Sequence, residues 1–443
     1  MTNANLNLVA GLDRSLAWYS GNSVRYVVAT VEADQDDSSA ERPPMPANVA
    51  LVIDASGSMS GAKLESAKRA AQGVIKALGP QDVLSVVSFA GEVLLHVDGM
   101  RMDDSGQADA LSAVGKLEPR GNTNLSEGWF TGAACVARGM TAGPGMAHRV
   151  IVLSDGQAND GITSPSELAE HAGVLQVRGI TTSTVGIGDD YETAVLQALA
   201  EQGGGQMHDA ERAEDIVDIL LGELRETQAA AIEQAVVTFD LPDKVQATPV
   251  GFYQSTREPG RLLVRLGSIA LGRPRNVVVR LTLPEGEVDD TLTLRADAFG
   301  VATGTERAVT TSPQELAVKF VRGAANDAQV RDERLSVLVA ESWHAQVVHA
   351  VAGMNRSGER RQARHFLERE LRYFERYCRG LSGTEKLVGE LALMIRHVDT
   401  EWNERTRKVM QYESVRAQRQ QADFRIESGP TWSERLTSEP PRV

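Results

Sequence analysis

The sequence has only two cysteines in 443 residues, Cys135 and Cys378. Two thiols cannot build a disulfide framework, and their spacing is not that of zinc ligands. No apolar run approaches the roughly 18 residues that a transmembrane helix needs, so we expect no membrane insertion. The opening segment, "MTNANLNLVAGLDRSLAWYSG", lacks the basic and apolar parts of a secretory signal peptide. Together these features predict a cytoplasmic protein.

Positive charge is also scarce. The chain has 46 Lys and Arg against 60 Asp and Glu, which gives a formal net charge of -14. Nucleic acids and anionic membranes bind cationic surfaces, so we expect neither as the main partner. A composition of 42% hydrophobic and 24% charged residues is ordinary for a folded protein. The length predicts about three domains.

Hydrophobic patterning divides the chain into segments. Short β-branched runs such as "NVALVID", "VLSVVSFA" and "HRVIVLSD" alternate with helical stretches, which predicts a doubly wound, mostly parallel, Rossmann-like α/β sheet covered on both faces. The predicted divisions are N-terminal strands and a linker over residues 1–46, the α/β domain over 47–227, an antiparallel β-sandwich over 228–312, a helical region over 313–420 and a mobile tail over 421–443.

The sandwich is expected to include the N-terminal strands. Runs such as "LVRLG" and "VVVRLTL" alternate apolar and polar residues, as antiparallel strands with one solvent-exposed face do. These strands are few for a closed sandwich, and the strands at residues 6–33 have no place in a parallel α/β sheet. We therefore expect the strands at 6–33 to pair with strands in 228–311. The α/β domain would then be an insertion.

The helical region shows two apolar stripes that predict a pair of packed helices. The stripes are Leu367, Leu371, Phe374 and Cys378, and Leu387, Leu391, Met394 and Val398. Residues 355–379 hold eight arginines against four glutamates, which is typical of a solvated helix face or of a surface for an acidic partner. Trp432 in the tail is unusual, because an aromatic residue in a mobile segment often anchors to another surface.

Oxygen-bearing side chains follow the ends of two predicted strands. "LVIDASGSMSG" runs from a strand into Asp54, Ser56 and Ser58, and "RVIVLSDG" ends at Asp155. Ligands of doubly wound sheets bind beyond the carboxyl ends of the strands, and Thr123 lies on a Gly/Asn-rich loop that could reach the same edge. Two carboxylates and three hydroxyls are hard ligands that suit Mg²⁺, or alternatively Ca²⁺ or Mn²⁺. Because Mg²⁺ rarely takes all six ligands from protein, one position is expected to stay open.

This order, Asp-x-Ser-x-Ser, then a Thr, then a strand-terminal Asp followed by Gly, closely resembles the complete metal-ion-dependent adhesion site of von Willebrand factor A domains. The resemblance covers roughly 180 residues and includes "LVIDASGSM" and "VIVLSDG". It implies that Ser56, Ser58 and Thr123 supply hydroxyls, while Asp54 and Asp155 bind the cation directly or through water. It also implies that a partner protein fills the open position with an Asp or Glu carboxylate.

The wider arrangement resembles A-domain proteins related to inter-alpha-trypsin inhibitor heavy chains, calcium-activated chloride channel regulators and plant A-domain/RING ligases. Two cysteines cannot make a RING, so ligase activity is not expected. The sequence is therefore interpreted as a non-enzymatic interaction protein. An accessory subunit of an ATP-driven, chelatase-like complex stays open, although the chain has no phosphate-binding loop of its own. A metal-dependent hydrolase is a further alternative, but the sequence nominates no general base.

Overall fold

The computed structural model of the protein describes residues 4–35, 45–140, 146–155, 158–188, 191–212, 215–303, 305, 307–420 and 429–438. The N-terminal strands are β1 (Ala4–Leu12), β2 (Leu16–Trp18) and β3 (Val24–Gln35). β1 and β3 pair antiparallel, with Leu8 opposite Val31. The chain then leaves this sheet and enters the α/β domain at residue 47.

The α/β domain is built on a six-stranded sheet. Its strands are β4 (Ala47–Asp54), β5 (Val83–Phe89), β6 (Val93–Arg101), β7 (Ala147–Ser154), β8 (Ile180–Ile187) and β9 (Gly204–Ala210). Its helices are α1 (Ala62–Ala77), α2 (Asp104–Gly115), α3 (Leu125–Met140), α4 (Pro165–Val177), α5 (Thr193–Gln202) and α6 (Asp215–Gln228). The strand order is β6-β5-β4-β7-β8-β9, and β6 alone runs antiparallel to its neighbour within this sheet. The predicted mostly parallel, doubly wound fold is confirmed.

Strand β4 shows why this sheet is covered on both faces. All eight of its residues are buried. Leu51 and Ile53 enter a core with α1, α2 and α6, whereas Val52 enters a second core with α3, α4 and α5. Because successive side chains of a strand point to opposite faces, a continuous apolar run is what a central strand between two helical layers requires.

Two further sheets follow in the chain. Their strands are β10 (Ala230–Asp240), β11 (Gln246–Pro249), β12 (Gln254–Glu258), β13 (Arg261–Ala270), β14 (Arg275–Thr282), β15 (Thr291–Ala302), β16 (Ala308–Thr310) and β17 (Gln314–Val321). One sheet has the order β1-β3-β14-β11, and the other has the order β12-β13-β10-β15-β17-β2 with β16 beside β15. Their strand pairs are antiparallel except for β17 with β2. The expected pairing of the N-terminal strands with the later segment is present, since β14 pairs with β3.

Strand β3 is buried on both faces. Val27, Ala29 and Val31 pack into the core between the two antiparallel sheets. Tyr26 and Val28 belong instead to a core shared with the C-terminal helices. The run "VRYVVATV" is therefore nearly continuous in apolar residues because both of its faces are covered, by a sheet on one side and by helices on the other.

The helical region begins later than predicted. Residues 314–321 form β17, so the predicted start of the helices at 313 is wrong. The run "QELAVKFV" buries Leu316, Val318 and Phe320 on alternate positions, which is the period of a strand packed on one face. The helices are α7 (Gly323–Ala328), α8 (Glu333–Arg356), α9 (Arg360–Cys378), α10 (Glu385–His397) and α11 (Glu404–Arg419).

The two predicted stripes meet in one core. Leu367, Phe374, Leu391 and Met394 are buried together there, so the predicted packing of α9 and α10 is confirmed. Within the described residues, no helix is both long enough and apolar enough to cross a bilayer.

The predicted mobile tail is wrong for its described part. Residues Trp432–Ser438 form α12, in which Trp432 and Leu436 are buried. Trp432 stacks on His344 of α8, with ring centroids 6.3 Å apart. Burying a large aromatic ring stabilises an otherwise short helix, so the tail binds the chain's own helical core. Residues 421–428 and 439–443 of the expected tail lie outside the described part.

Helix α11 joins the helical region to the α/β domain. Both terminal nitrogens of Arg405 donate hydrogen bonds to the carboxylate of Asp209, at 2.8 and 2.5 Å. Asp209 is the penultimate residue of β9. Lys408 lies 3.6 Å from the centre of the Tyr191 ring, and the Tyr191 hydroxyl donates to Asp209 at 2.7 Å. Asp209 is fully buried and Arg405 nearly so. Buried charge pairs of this kind strongly penalise loss of one partner, so they fix the position of α11.

A buried charge network supports the sheet from α6. Glu223 is fully buried and accepts hydrogen bonds from Arg149 of β7, Ser183 of β8 and His208 of β9, at 2.5, 2.8 and 2.6 Å. Burial raises the pKa of Glu223, but Arg149 and the other two donors outweigh burial and lower that pKa to about 2. The folded state therefore stabilises the ionised carboxylate.

We expect Glu223→Gln to lower the unfolding free energy at neutral pH by about 3 kcal/mol, because it leaves Arg149 buried without a counter-charge. In the natural chain this contribution is complete above the ordinary glutamate pKa of 4.5 and is lost as the pH falls towards 2. Urea denaturation at a series of pH values measures both effects. Glu65→Gln, which alters an exposed acid, is the control. Equal stability of Glu223→Gln and the natural chain at neutral pH would contradict this account.

Candidate functional site

The first loop of the site leaves the buried end of β4. Asp54 is fully buried, and its Oδ1 accepts a hydrogen bond from the backbone N–H of Ser56 at 2.8 Å. A single 3₁₀ turn, Gly57–Met59, follows, and the Met59 side chain is fully buried in the core beside α1. Met59 therefore anchors the turn, while Ser58 faces solvent.

A chain of hydroxyls connects this loop to the end of β7. The Ser56 and Ser58 hydroxyl oxygens are 3.0 Å apart, and the Ser58 hydroxyl donates to Oδ1 of Asp155 at 2.7 Å. Asp155 is 1% exposed and lies one residue beyond β7. Four of the five predicted site residues are thus joined by hydrogen bonds at one edge of the sheet.

Thr123 is placed beside these residues through its backbone. Its loop is held to the first loop by Arg120 N–H, which donates to the Ala55 carbonyl at 2.6 Å, and by Gly57 N–H, which donates to the Gly121 carbonyl at 3.2 Å. Thr123 itself is 4% exposed, and its N–H donates to Oδ1 of Asn159 at 3.0 Å. Backbone hydrogen bonds connect the Thr123 loop to the site. Among the described residues, the Thr123 hydroxyl forms no hydrogen bond with the other four predicted site residues.

Two residues of the site were missed from the sequence. Ser154, the last residue of β7, donates its hydroxyl to Oδ2 of Asp54 at 2.6 Å. Lys63, in the first turn of α1, forms an ion pair with Oδ2 of Asp155. A lysine at a helix N-terminus is repelled by the positive end of the helix dipole. Its presence there indicates that a nearby acid compensates its charge. Its position five residues after Ser58 also places it next to the first loop.

The electrostatics of the site favour a cation. Burial raises the pKa of Asp54, hydrogen bonds from Ser154 and Ser56 partly offset that rise, and the negative charge of Asp155 adds to it. Two buried carboxylates in one hydrogen-bonded group repel each other unless a proton or a cation compensates. Lys63, whose side chain is 32% exposed, supplies one positive charge beside Oδ2 of Asp155.

The donor set fits a hard divalent cation. Carboxylate and hydroxyl oxygens are the ligands of Mg²⁺, Mn²⁺ and Ca²⁺, whereas zinc and copper prefer nitrogen and sulfur. Over the described residues, no group of three or more His, Cys, Asp or Glu side chains is placed to hold a metal. A cation site at this edge therefore depends on hydroxyls in addition to the two acids.

Comparison with known proteins identifies the domain around this site. Residues 48–220 match the sequence profile of the von Willebrand factor type A domain. The chain contains a von Willebrand factor type A domain. This A domain is the α/β domain that the sequence predicted, and the candidate site lies at the carboxyl ends of its strands β4 and β7.

Curated relatives match part of this chain. Uncharacterized protein sll0103 of Synechocystis sp. is 29% identical over 195 residues, which are 44% of this chain and 44% of that protein. Inter-alpha-trypsin inhibitor heavy chain H3 of Homo sapiens is 28% identical over 172 residues, 37% of this chain and 19% of that protein. The chain thus matches less than half the length of each.

A solved structure shares the wider fold. The von Willebrand factor type A protein from Catenulispora acidiphila superposes with a TM-score of 0.69 over 89% of this chain and 91% of that one, at 16% identity. Identity this low supports the fold alone. The fold likeness extends beyond the A domain to most of the chain.

We expect Lys63→Met to strengthen Mg²⁺ binding by roughly three- to tenfold, because it removes a positive charge that competes for Asp155. Isothermal titration calorimetry measures this directly. Lys76→Met, at the exposed far end of α1, removes the same charge away from the site and should leave the affinity unchanged. Weaker or unchanged Mg²⁺ binding by Lys63→Met would show that Lys63 does not compete with the cation.

Proposed function

We propose that the A domain is a non-enzymatic protein-interaction module that binds an Asp or Glu carboxylate of a partner protein through a divalent cation. The cation is Mg²⁺, or alternatively Ca²⁺ or Mn²⁺, and its ligands are Asp54, Ser56, Ser58, Thr123 and Asp155. The observation that carries the proposal is the hydrogen-bonded series from Ser56 through Ser58 to Asp155. It brings oxygen ligands of two separate loops together beside a buried Asp54.

The five proposed ligands supply two kinds of oxygen to this site. Asp54 and Asp155 supply negative charge, and the hydroxyls of Ser56, Ser58 and Thr123 supply neutral oxygen ligands. When bound, the cation supplies the positive charge that attracts a partner carboxylate. Two carboxylates nearly neutralise a divalent ion, so the charge of the site still allows a third carboxylate to approach. Ser58 and Gly57 are exposed, which leaves the partner a solvent-facing side to approach.

The remaining contacts support binding rather than chemistry. Ser154 and the Ser56 N–H hold Asp54 in one orientation, and Met59 fixes the loop between them. A hydrolase would need a general base beside the cation. In the described site, Asp54 accepts a hydrogen bond from Ser154, and Asp155 accepts hydrogen bonds from Ser58 and Lys63. No observation favours the hydrolase or the chelatase-like subunit over an interaction module. Cytoplasmic location remains a prediction of the sequence.

We expect Asp155→Asn to weaken Mg²⁺ binding by more than about 100-fold, since it removes one of two charged ligands. It should also abolish the Mg²⁺-dependent capture of a partner from a cell extract. The thermal midpoint without metal should move by less than about 4 °C, because Lys63 is partly exposed and can be solvated. Calorimetric titration and scanning calorimetry measure these quantities.

The matched control is Asp160→Asn, an exposed acid on the neighbouring loop, which carries the same change of charge. It should bind Mg²⁺ and capture the partner as the natural chain does. Capture that persists in EDTA, or in Asp155→Asn with Mg²⁺ present, would place the recognition surface elsewhere on the molecule.

A further inference from the structure

A cationic cleft lies between the N-terminal strands and the C-terminal helices, and it shares no residue with the metal site. Its volume is about 1170 Å³. Six arginines line it, which are Arg14, Arg25, Arg280, Arg331, Arg369 and Arg376. The lining acids are Asp327 and Glu370, and the buried Asp13 lies beneath the floor. In a chain with a net charge of -14, this cleft has an excess of three positive charges.

The floor of the cleft holds two guanidinium groups against one carboxylate. Asp13 is fully buried, accepts hydrogen bonds from the Tyr26 N–H and the Tyr377 hydroxyl, and pairs with Arg14. Arg25 donates to the carbonyls of Leu16 and Val24 instead of to an acid. Burial, and next the charge of Arg14, lower the pKa of Arg25 to about 10. The floor therefore carries positive charge that its own acid does not balance.

The walls carry further arginines whose charge is not neutralised. Arg331 donates to the carbonyls of Tyr377 and Arg379 and lies over the Tyr377 ring, so its bonds position it without cancelling its charge. Arg280 of β14 and Arg376 of α9 are exposed. Across the described residues, no carboxylate lies within ion-pair distance of these three arginines. Glu370, in contrast, is committed to Arg369 and to the Trp343 indole N–H.

The cleft also offers aromatic surface. Tyr26, Trp343 and Tyr377 form a cluster with ring centroids 5.5 to 6.2 Å apart, and Tyr373 is 56% exposed at the edge. Aromatic rings beside guanidinium groups that pair with no acid suit a ligand that combines negative charge with apolar side chains. The cleft is larger than the roughly 300–1,000 Å³ typical of small-molecule pockets, so a peptide fits it better than a metabolite.

We propose that this cleft binds a short acidic segment of a partner protein, whose carboxylates pair with Arg280, Arg331 and Arg376. The arginine-rich run of α9 thus contributes to a binding surface as well as to a solvated helix face.

The distribution of charge on the protein favours this ligand over larger polyanions. At physiological salt, charges are screened beyond about 8 Å, so a short peptide inside the cleft senses mainly the local positive excess. A nucleic acid or a membrane would extend over the acidic remainder of the molecule and be repelled.

The test uses the full chain and a fluorescein-labelled decapeptide of alternating glutamate and tyrosine, with fluorescence anisotropy as the readout. Binding should persist in EDTA, where no cation can hold a carboxylate at the metal site, and should weaken as salt rises. The double variant Arg280→Gln and Arg376→Gln should bind the peptide roughly tenfold more weakly. Both side chains are exposed and pair with no acid, and Gln keeps a hydrogen-bond donor where Arg280 bonds Tyr26, so the fold should be retained.

The matched control is the double variant Arg361→Gln and Arg372→Gln, which removes the same charge from exposed positions of α9 outside the cleft. It should bind the peptide normally, and a decapeptide with glutamine in place of glutamate should not bind the natural chain.

Equal weakening by both double variants would mean general charge attraction and would overturn the proposal. Loss of all peptide binding in EDTA would place the peptide at the metal site, and binding of anionic vesicles or an oligonucleotide without binding of the peptide would favour a different ligand. Either result would also overturn the proposal, while leaving the Mg²⁺ titration of the A domain unaffected.

Discussion

Two carboxylates buried at one edge of a parallel sheet set the main electrostatic constraint on this molecule. Asp54 and Asp155 are 0% and 1% exposed, and a serine network joins their loops. Burying two negative charges together is costly unless a cation compensates them. Lys63 compensates one of them, and the hydroxyl groups around the pair match the ligands of a hard divalent ion. The loops, the first turn of α1 and the end of β7 are all arranged around this requirement.

The rest of the chain holds the A domain through contacts at β9, the last strand in the order of its sheet. Strand β3 is covered by a sheet on one face and by helices on the other, so the N-terminal segment, the antiparallel sheets and the helical region form connected cores. Helix α11 then reaches β9 of the A domain, where Arg405 binds the buried Asp209. Breaking that pair would leave a buried charge, which gives the contact a large energetic weight. The A domain is therefore fixed to its neighbours by charge as well as by chain connectivity.

The sequence predicted the parts of this structure in which local pattern and tertiary role agree. Continuous apolar strands identified the parallel sheet, and acids and hydroxyls at strand ends indicated the candidate site residues. Strand β17 was missed because "QELAVKFV" is short and follows a turn-rich stretch, so its alternation of period two was overlooked. Helix α12 was missed because its stability comes from the contact of Trp432 with distant helices. Lys63 and Ser154 were missed because their roles depend on partners that only the folded loops bring near.

The most direct test of the central claim is anomalous X-ray scattering from crystals of the protein grown with Mn²⁺. We predict one strong manganese peak, within bonding distance of oxygens from Ser56 and Ser58 and of Asp54 and Asp155 directly or through water, with Thr123 facing it and Lys63 displaced from Asp155. Manganese serves as the probe because it shares the hard oxygen preference of Mg²⁺. Absence of a peak at this edge under saturating Mn²⁺, with Lys63 still paired to Asp155, would contradict the account.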